Sequence, residues 1–370
     1  MIFQVGKPVT GSQLIGREEE IKKIEQYLKM GQSVVIIAPR RFGKTSVLLE
    51  ILRRSKENNE FSFFTDIFAT QDICSLAADI TTGVLSNKKF EFSIHQLKNH
   101  VVDLMHNIQF RQEVEGNEFI LGFGQKNIDE WGMLTSSLKM IEKFAEKQKQ
   151  RLLGVFDEFG DIEKLDGDRI VKLFRAELQL QQNTVYLFAG SYESMMNKIF
   201  ISSSAPFYRF ARIVRLGNIA ENEFVLYLTQ YLKRENIPNA DVWAQQITRF
   251  TKGHPYYTPF LAQQLVFNFS TGSENISNLD KLIEISVFAE NDYFERIWAE
   301  ISAKRQEKVI ILALSEGIIN LYTSLDVKKI NISRTIKRLI GSGHIQMTDN
   351  NYHLTDPLFN YWLRKKVLKI

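Results

Sequence analysis

A single cysteine, Cys74, in 370 residues can form no internal disulfide and build no multi-cysteine zinc site. No apolar run approaches the ~20 residues that a membrane-spanning helix requires. The opening stretch MIFQVGKPVT has no basic segment followed by an apolar one, so no secretory leader is expected and the chain reads as soluble and cytoplasmic. Neither sign of charge dominates: 47 Lys plus Arg against 43 Asp plus Glu leave a net +4, too small an excess to demand a nucleic-acid partner. An Asn-Lys-x-Asp element that would read guanine is missing, which speaks against GTP. What is present is 44% hydrophobic residues, in a chain long enough for two or three domains.

The chemistry concentrates first in VVIIAPRRFGKTSVLL, Val34 to Leu49, where a buried apolar run turns through Gly-Lys-Thr into an apolar segment of helical spacing. The pattern G-x-x-x-x-G-K-[ST] aligns with Ala38, Pro39, Arg40, Arg41, Phe42, Gly43, Lys44 and Thr45, followed by Ser46. Only Ala38 departs, at a position that needs an ordinary backbone angle. Successive N–H groups and a helix N-terminus suit a polyphosphate. In that chemistry Lys44 bridges the β- and γ-phosphates, and the Thr45 hydroxyl completes the coordination of Mg²⁺.

A second buried strand is expected over FSFFTDIF, Phe61 to Phe68, then a helix from about Ser75 to Leu85. The next 45 residues or so carry no clear pattern, and Gly122-Phe123-Gly124 reads as a turn. An amphipathic helix, Leu134 to Lys147, leads to the strand LLGVFDE, Leu152 to Glu158, which ends in two acids. In a parallel sheet an acid at that strand's carboxyl end reaches a metal bound at the phosphate loop. Asp157 fits that role, and Glu158 fits the polarising of a water for attack on the γ-phosphate. Alone, the pair could equally solvate a strand end. A helix over Asp168 to Gln181 and a strand over Val185 to Ala189 follow, ending in Gly190-Ser191; then comes Pro206 to Arg212 and a strand over Ile213 to Leu216.

Gly16-Arg17-Glu18, one helix, and then the Pro39 to Ser46 loop together resemble the archaeal-type AAA+ ATPases, close to the STAND group of nucleotide switches; FDEFGDI resembles the same family's second motif. The resemblance implies ATP as ligand and substrate, with Ile15, Gly16 and Arg17 against the adenine and Ser191 sensing the γ-phosphate. The Pro206 to Arg212 stretch matches the family's "P-[LF]-Y-x-R", which makes Arg209 the candidate arginine finger, in cis or in trans, with Arg212 as runner-up. TKGHPYYTPF, Thr251 to Phe260, resembles the glycine-x-proline signature at a junction of lid helices and puts His254 where a phosphate is felt; a capping turn explains its Gly and Pro equally well.

From Glu221 strand signals cease, and helices are expected over Phe224 to Lys233 and Val242 to Thr251. A helix from Ile297, further helices over Thr323 to Lys329 and Ile330 to Ile340, and the short strands HIQMT and YHLT around Asp349-Asn350-Asn351 read as a winged helix. Its recognition helix buries Ile332, Ile336, Leu339 and Ile340 and turns Arg334, Lys337 and Arg338 outward, as contacts to duplex DNA or to a protein partner would need. The last segment, LTDPLFNYWLRKK, again resembles the family, and likeness to origin-recognition initiators favours DNA. The expected fold is therefore α/β: a P-loop NTPase of the AAA+/ASCE type with a parallel sheet flanked by helices (1–219), an all-α lid (220–292) and a C-terminal winged-helix domain (293–370). The expected function is an ATP-hydrolysing switch; the alternatives are a nucleotide-gated DNA-binding regulator or a protein-recruiting scaffold. A homo-oligomer is compatible with either.

Overall fold

The computed structural model describes residues 5–87, 110–114, 117–121, 129–191, 193–272, 276–325, 330–348 and 351–370. The Gly122-Phe123-Gly124 turn, residues 326–329 of an expected helix, and Asp349 and Asn350 lie outside them.

In chain order the first elements are α1 (Glu18–Lys29), β1 (Ser33–Ile37), α2 (Lys44–Glu57), β2 (Phe61–Asp66), α3 (Ile73–Leu85), β3 (Phe110–Val114) and β4 (Asn117–Leu121). There follow α4 (Glu130–Gln148), β5 (Leu152–Asp157), α5 (Glu163–Leu178), β6 (Thr184–Gly190), the short α6 (Glu193–Met196) and β7 (Ala211–Arg215). Five strands form one parallel sheet in the order β2-β5-β6-β1-β7, and β3 and β4 make a separate antiparallel hairpin. The two-residue period of a strand sorts the side chains onto two faces. Val35, Ile37, Phe156, Tyr186 and Phe188 join an aromatic core with α3, α4 and α5. Val34, Ile36, Val155, Leu187 and Ala189 join an aliphatic core with Ile21 and Ile24 of α1 and Val47, Leu48 and Ile51 of α2. The central strands β1, β5 and β6 are buried along their whole length because both faces are covered, whereas β7 at the edge is largely exposed.

The expected helix at Asp168 begins earlier, at Glu163, and is interrupted at Asp166 and Gly167, whose φ values of −160° and 54° are not helical. β2 stops at Asp66 and its last two expected residues belong to a 3-10 turn, Ile67–Ala69, capped by the Asp66 carboxylate. 

Among the described residues the remaining chain is helical apart from one hairpin: α7 (Glu221–Arg234), α8 (Ala240–Thr251), α9 (Tyr257–Thr271), α10 (Leu279–Ala289), α11 (Asn291–Ser302), α12 (Arg305–Ser315), α13 (Leu321–Ser324), α14 (Ile332–Gly341), the antiparallel pair β8 (Ile345–Thr348) and β9 (Asn351–Leu354), and α15 (Pro357–Trp362). One expectation is corrected. The single helix expected from Ile297 is two, α11 and α12, separated by Lys304 in an extended conformation. The domain boundary expected at 293 falls inside α11, and Phe224, Leu261, Phe294, Ile336, Phe359 and Trp362 all share one hydrophobic core. The helical region is thus a single packed body.

That body meets the sheet at Ile219, whose N–H donates to Gly253 O at 2.9 Å. A Cβ added to Gly253 would lie 2.1 Å from Ile219 O, and one added to Gly16 would lie 2.1 Å from Ile219 Cγ2. Both glycines also have positive φ, 70° and 64°. Backbone conformation and close approach therefore demand glycine at each. α14 lies against α6, so the C-terminal segment folds back onto the sheet domain.

Gly154, on β5 opposite Phe63 of β2 and Tyr186 of β6, leaves room for both rings. A Cβ there would sit 2.7 Å from Tyr186 Cε1 and 2.9 Å from Phe63 Cε1. Gly154→Ala is expected to destabilise the sheet domain by about 1–3 kcal/mol through overpacking, read as a lower urea midpoint at unchanged slope.

Candidate functional site

β1 delivers the chain into a loop at the carboxyl edge of the sheet, where Arg41 and Gly43 take left-handed conformations, φ 67° and 80°. Gly43 stands at the N-cap of α2 without a side-chain cap, and the first turn of α2 holds no acid. Its N–H groups and the positive end of the helix dipole face a cavity of about 680 Å³ bordered by Arg40, Arg41, Phe42, Gly43, Lys44, Thr45 and Ser46. The Lys44 ammonium donates to Ala38 O (3.2 Å) and Pro39 O (3.1 Å), and burial lowers its pKa despite nearby Glu158 and Asp157. The Ser46 hydroxyl accepts from Val9 N–H at 3.1 Å, which ties the N-terminal segment to α2.

The sheet brings the two acids of β5 to the same place. The Thr45 hydroxyl donates to Asp157 Oδ2 at 2.6 Å, across 112 residues of sequence. Burial raises the Asp157 pKa, opposed by that hydroxyl and by Glu158 N–H, which donates to Asp157 Oδ1 at 2.9 Å. A buried carboxylate beside a hydroxyl is a hard-oxygen donor set that suits Mg²⁺, which takes few protein ligands and completes its shell with phosphate and water. Among the described residues no group of three or more His, Cys, Asp or Glu forms a metal cage. Glu158 turns through a left-handed φ of 46°, and its carboxylate accepts both the N–H (3.0 Å) and the hydroxyl of Ser191 at the tip of β6.

Two acids given no role from the sequence also border the cavity, Asp66 and Asp161. Asp66 ends β2 in register with Asp157, and Asp161 pairs with Lys164 at 2.8 Å. The readable signal was that FSFFTD ends like LLGVFD, an apolar strand stopped by an acid. The segment before Ile15 was missed: Val5, Pro8 and Leu14 border the cavity beside the expected Ile15, together with Ile219, Phe224 and Tyr227.

Ile15 and Arg17 border the cavity, but the side chain of Arg17 is otherwise committed. Its guanidinium is buried and donates to Gly217 O (2.6 Å), Phe42 O (3.3 Å) and Glu20 Oε1 (2.9 Å). It clamps the loop to the segment before α7 rather than presenting donors to a base. Gly16 is turned against Ile219, as described above, and does not border the cavity.

The signature Thr251 to Phe260 divides its residues between two tasks. Pro255, Tyr256 and Pro259 border the cavity. His254 does not: it is 2% exposed, its ring meets Phe42 edge-on at 4.8 Å, and its Nδ1 accepts the N–H groups of Tyr256 (3.1 Å) and Tyr257 (3.3 Å). The His254 ring thus caps the start of α9 and packs the helical body on the phosphate loop. Burial, with Arg41 and Arg17 nearby, pushes its pKa down to about 3.

Arg209, the candidate finger, stands apart from its own subunit's loop. Ala211 pairs with Ser33, the first residue of β1, so Arg209 and Arg212 stand at the amino edge of the sheet, four strand steps of about 3.3 Å from the loop. Arg212 donates to Gln32 Oε1 at 2.7 Å and Arg209 lies over Tyr208. On α14, Arg334 and Lys337 are exposed, while Arg338 Nε is 3.6 Å from Glu307 Oε1.

A strand lying between the loop strand and the acid strand, a Gly-Lys-Thr loop at a helix N-terminus, and an Asp-Glu pair facing it define a P-loop ATPase of the AAA+/ASCE type. A family model described as an ATPase domain predominantly from Archaea matches residues 14–259, and the chain belongs to that family. Its fold is similar to that of the Walker-type ATPase PABY2304 of Pyrococcus abyssi, at 18% identity and TM-score 0.67 over 98% of this chain and 100% of that one. It is also similar in fold to the Aeropyrum pernix ORC2 protein, solved as ADPNP-ADP complexes, at 13% identity and TM-score 0.54 over 99% and 98%. No curated protein matches the sequence.

The depressed pKa of His254 carries a sign. Between pH 6.5 and about 3 the unfolded chain takes up a proton that the folded one refuses, so this residue's contribution to stability falls as pH is lowered through that window. Wild type is expected to lose about 2 kcal/mol more than His254→Gln between pH 7.5 and pH 5, measured by denaturant unfolding at each pH.

Proposed function

We propose that the chain is an ATP-hydrolysing switch whose nucleotide sits between the sheet domain and the helical body. The observation that carries this reading is the Thr45–Asp157 hydrogen bond on the floor of a cavity that Lys44 and Glu158 also border. The cavity has the polarity of a nucleotide. Its apolar end, around Ile15, Ile219 and Tyr227, suits an adenine, and its other end offers N–H groups, an ammonium and acids.

The N–H groups from Arg40 to Ser46 would bind the phosphates, with Lys44 leaving its carbonyl partners for the β- and γ-phosphates. Thr45 and Asp157 would hold Mg²⁺, which supplies charge neutralisation when bound. Glu158 would take the proton of the attacking water, and Ser191, bonded to both of its oxygens, would orient it and feel the γ-phosphate. Arg209 would act in trans, at a neighbouring subunit's site, since its own is out of reach. Pro255 and Tyr256 would bring the helical body against the nucleotide, so that hydrolysis alters how that body packs.

Within it we read α12, α14 and the β8–β9 hairpin as a winged helix. The exposed Arg334 and Lys337 favour a second reading, in which nucleotide gates binding of duplex DNA. Phosphate contacts then predict duplex affinity that falls steeply with salt and weakens on Lys337→Ala; no duplex binding at low salt would leave a protein-docking surface.

For the main reading, Glu158→Gln is expected to bind ATP with near wild-type affinity and to lose turnover by about 100-fold or more. Phosphate release beside calorimetric titration measures both, and unchanged turnover would remove Glu158 from the mechanism.

A further inference from the structure

The side chain of Arg41 reaches from the phosphate loop into the helical body at three points. Its guanidinium lies 4.5 Å from the ring centre of Tyr256, on the turn into α9, and 4.9 Å from that of Tyr293 on α11. Its Nη1 donates to the Tyr257 hydroxyl at 2.9 Å, and that hydroxyl in turn donates to Asp356 Oδ2. The other Asp356 oxygen accepts Phe359 N–H at 2.9 Å and caps α15, whose Leu358, Phe359 and Trp362 enter the helical core. A directed chain of donors therefore runs from the phosphate loop through α9 to the N-terminus of the last helix. At its loop end it holds a non-glycine residue at φ 67°, a conformation that needs support from its surroundings. Asp356 does not border the cavity.

We propose that Asp356 is a positioning residue of the nucleotide site: through Tyr257 and Arg41 it fixes the phosphate loop in its binding shape, and bound nucleotide reciprocally tightens the capping of α15. The proposal rests on the ATP-binding reading above and adds the route by which the C-terminal helix is coupled to the loop. Charge and geometry suit the task. An arginine held by a carboxylate through one tyrosine, with two further rings over its plane, has a single favoured position. Breaking any link frees the side chain, and with it the backbone whose N–H groups receive the phosphates. Because coupling between two sites is reciprocal, whatever Asp356 contributes to nucleotide affinity, nucleotide returns to α15.

The test is a double-mutant cycle on the full chain, read as Mg-ATP affinity by calorimetry, with Lys44→Ala as the non-binding control. Asp356→Asn keeps the α15 cap, since asparagine also accepts Phe359 N–H, but removes the charge at the end of the chain. It is expected to weaken ATP binding by about fivefold or more. Tyr257→Phe, which keeps the ring, should do the same. In an Arg41→Ala background neither should weaken binding further. Amide hydrogen exchange at Leu358–Trp362 should slow on adding ATP to wild type and not to Arg41→Ala. Wild-type affinity in both Asp356→Asn and Tyr257→Phe would overturn the proposal, as would equal losses with and without Arg41. Failure of wild type to bind ATP at all would instead strike the ATP-binding reading and this inference with it.

Discussion

The contact between the Thr45 hydroxyl and the Asp157 carboxylate constrains everything around it. One partner opens α2 and the other ends β5, with β6 lying between β1 and β5. For the two to meet, both strands must end at the same height and on the same edge, and the parallel register secures this: Ile37 aligns with Gly190 on one side, and Val155 with Leu187 on the other. That register in turn depends on strands buried on both faces, where a one-residue slip would exchange the aromatic and aliphatic cores. The acids at the edge are the part of the sheet that gains nothing from burial. They are kept there by hydrogen bonds from Thr45, from the backbone at Glu158 and from Ser191.

The loop above this contact is shared property. Phe42 is buried in the aliphatic core and touches His254; Arg41 belongs electrostatically to three tyrosines; Arg17 holds the Phe42 carbonyl from below. A segment usually described by its glycine and lysine is thus shaped by side chains from α1, α9, α11 and the segment before α9. The variable positions of the motif carry most of the contacts to the helical body.

Much of this was legible in the sequence because it is local. The phosphate loop announces itself by a strand, a Gly-Lys-Thr and an amphipathic helix in succession, and Asp157-Glu158 by an apolar run that stops in acid. The strands of the parallel sheet follow from apolar runs and most helix cores from periodicity, whereas β3 and β4 lie in the stretch that carries no clear pattern. What periodicity does not carry is the destination of a side chain. Arg17 and His254 stand in the right segments, yet their polar atoms are consumed by backbone groups that only the tertiary structure supplies. The distance of Arg209 from its own subunit's loop follows from register, a property of two strands together. The N-terminal wall of the cavity has no signature because a strap is defined by what it lies on, here Ser46 and Glu50. The break between α11 and α12 was hidden by continuous amphipathic spacing across Ala303 and Lys304.

Ile219 is gripped from both sides by residues without side chains, one from the sheet domain and one from the helical body, and its own N–H is fastened to the second. A β-carbon introduced on either glycine would overlap Ile219, so any larger residue there must push the two halves of the molecule apart, and their spacing at that point is fixed by the lack of side-chain volume on both flanks.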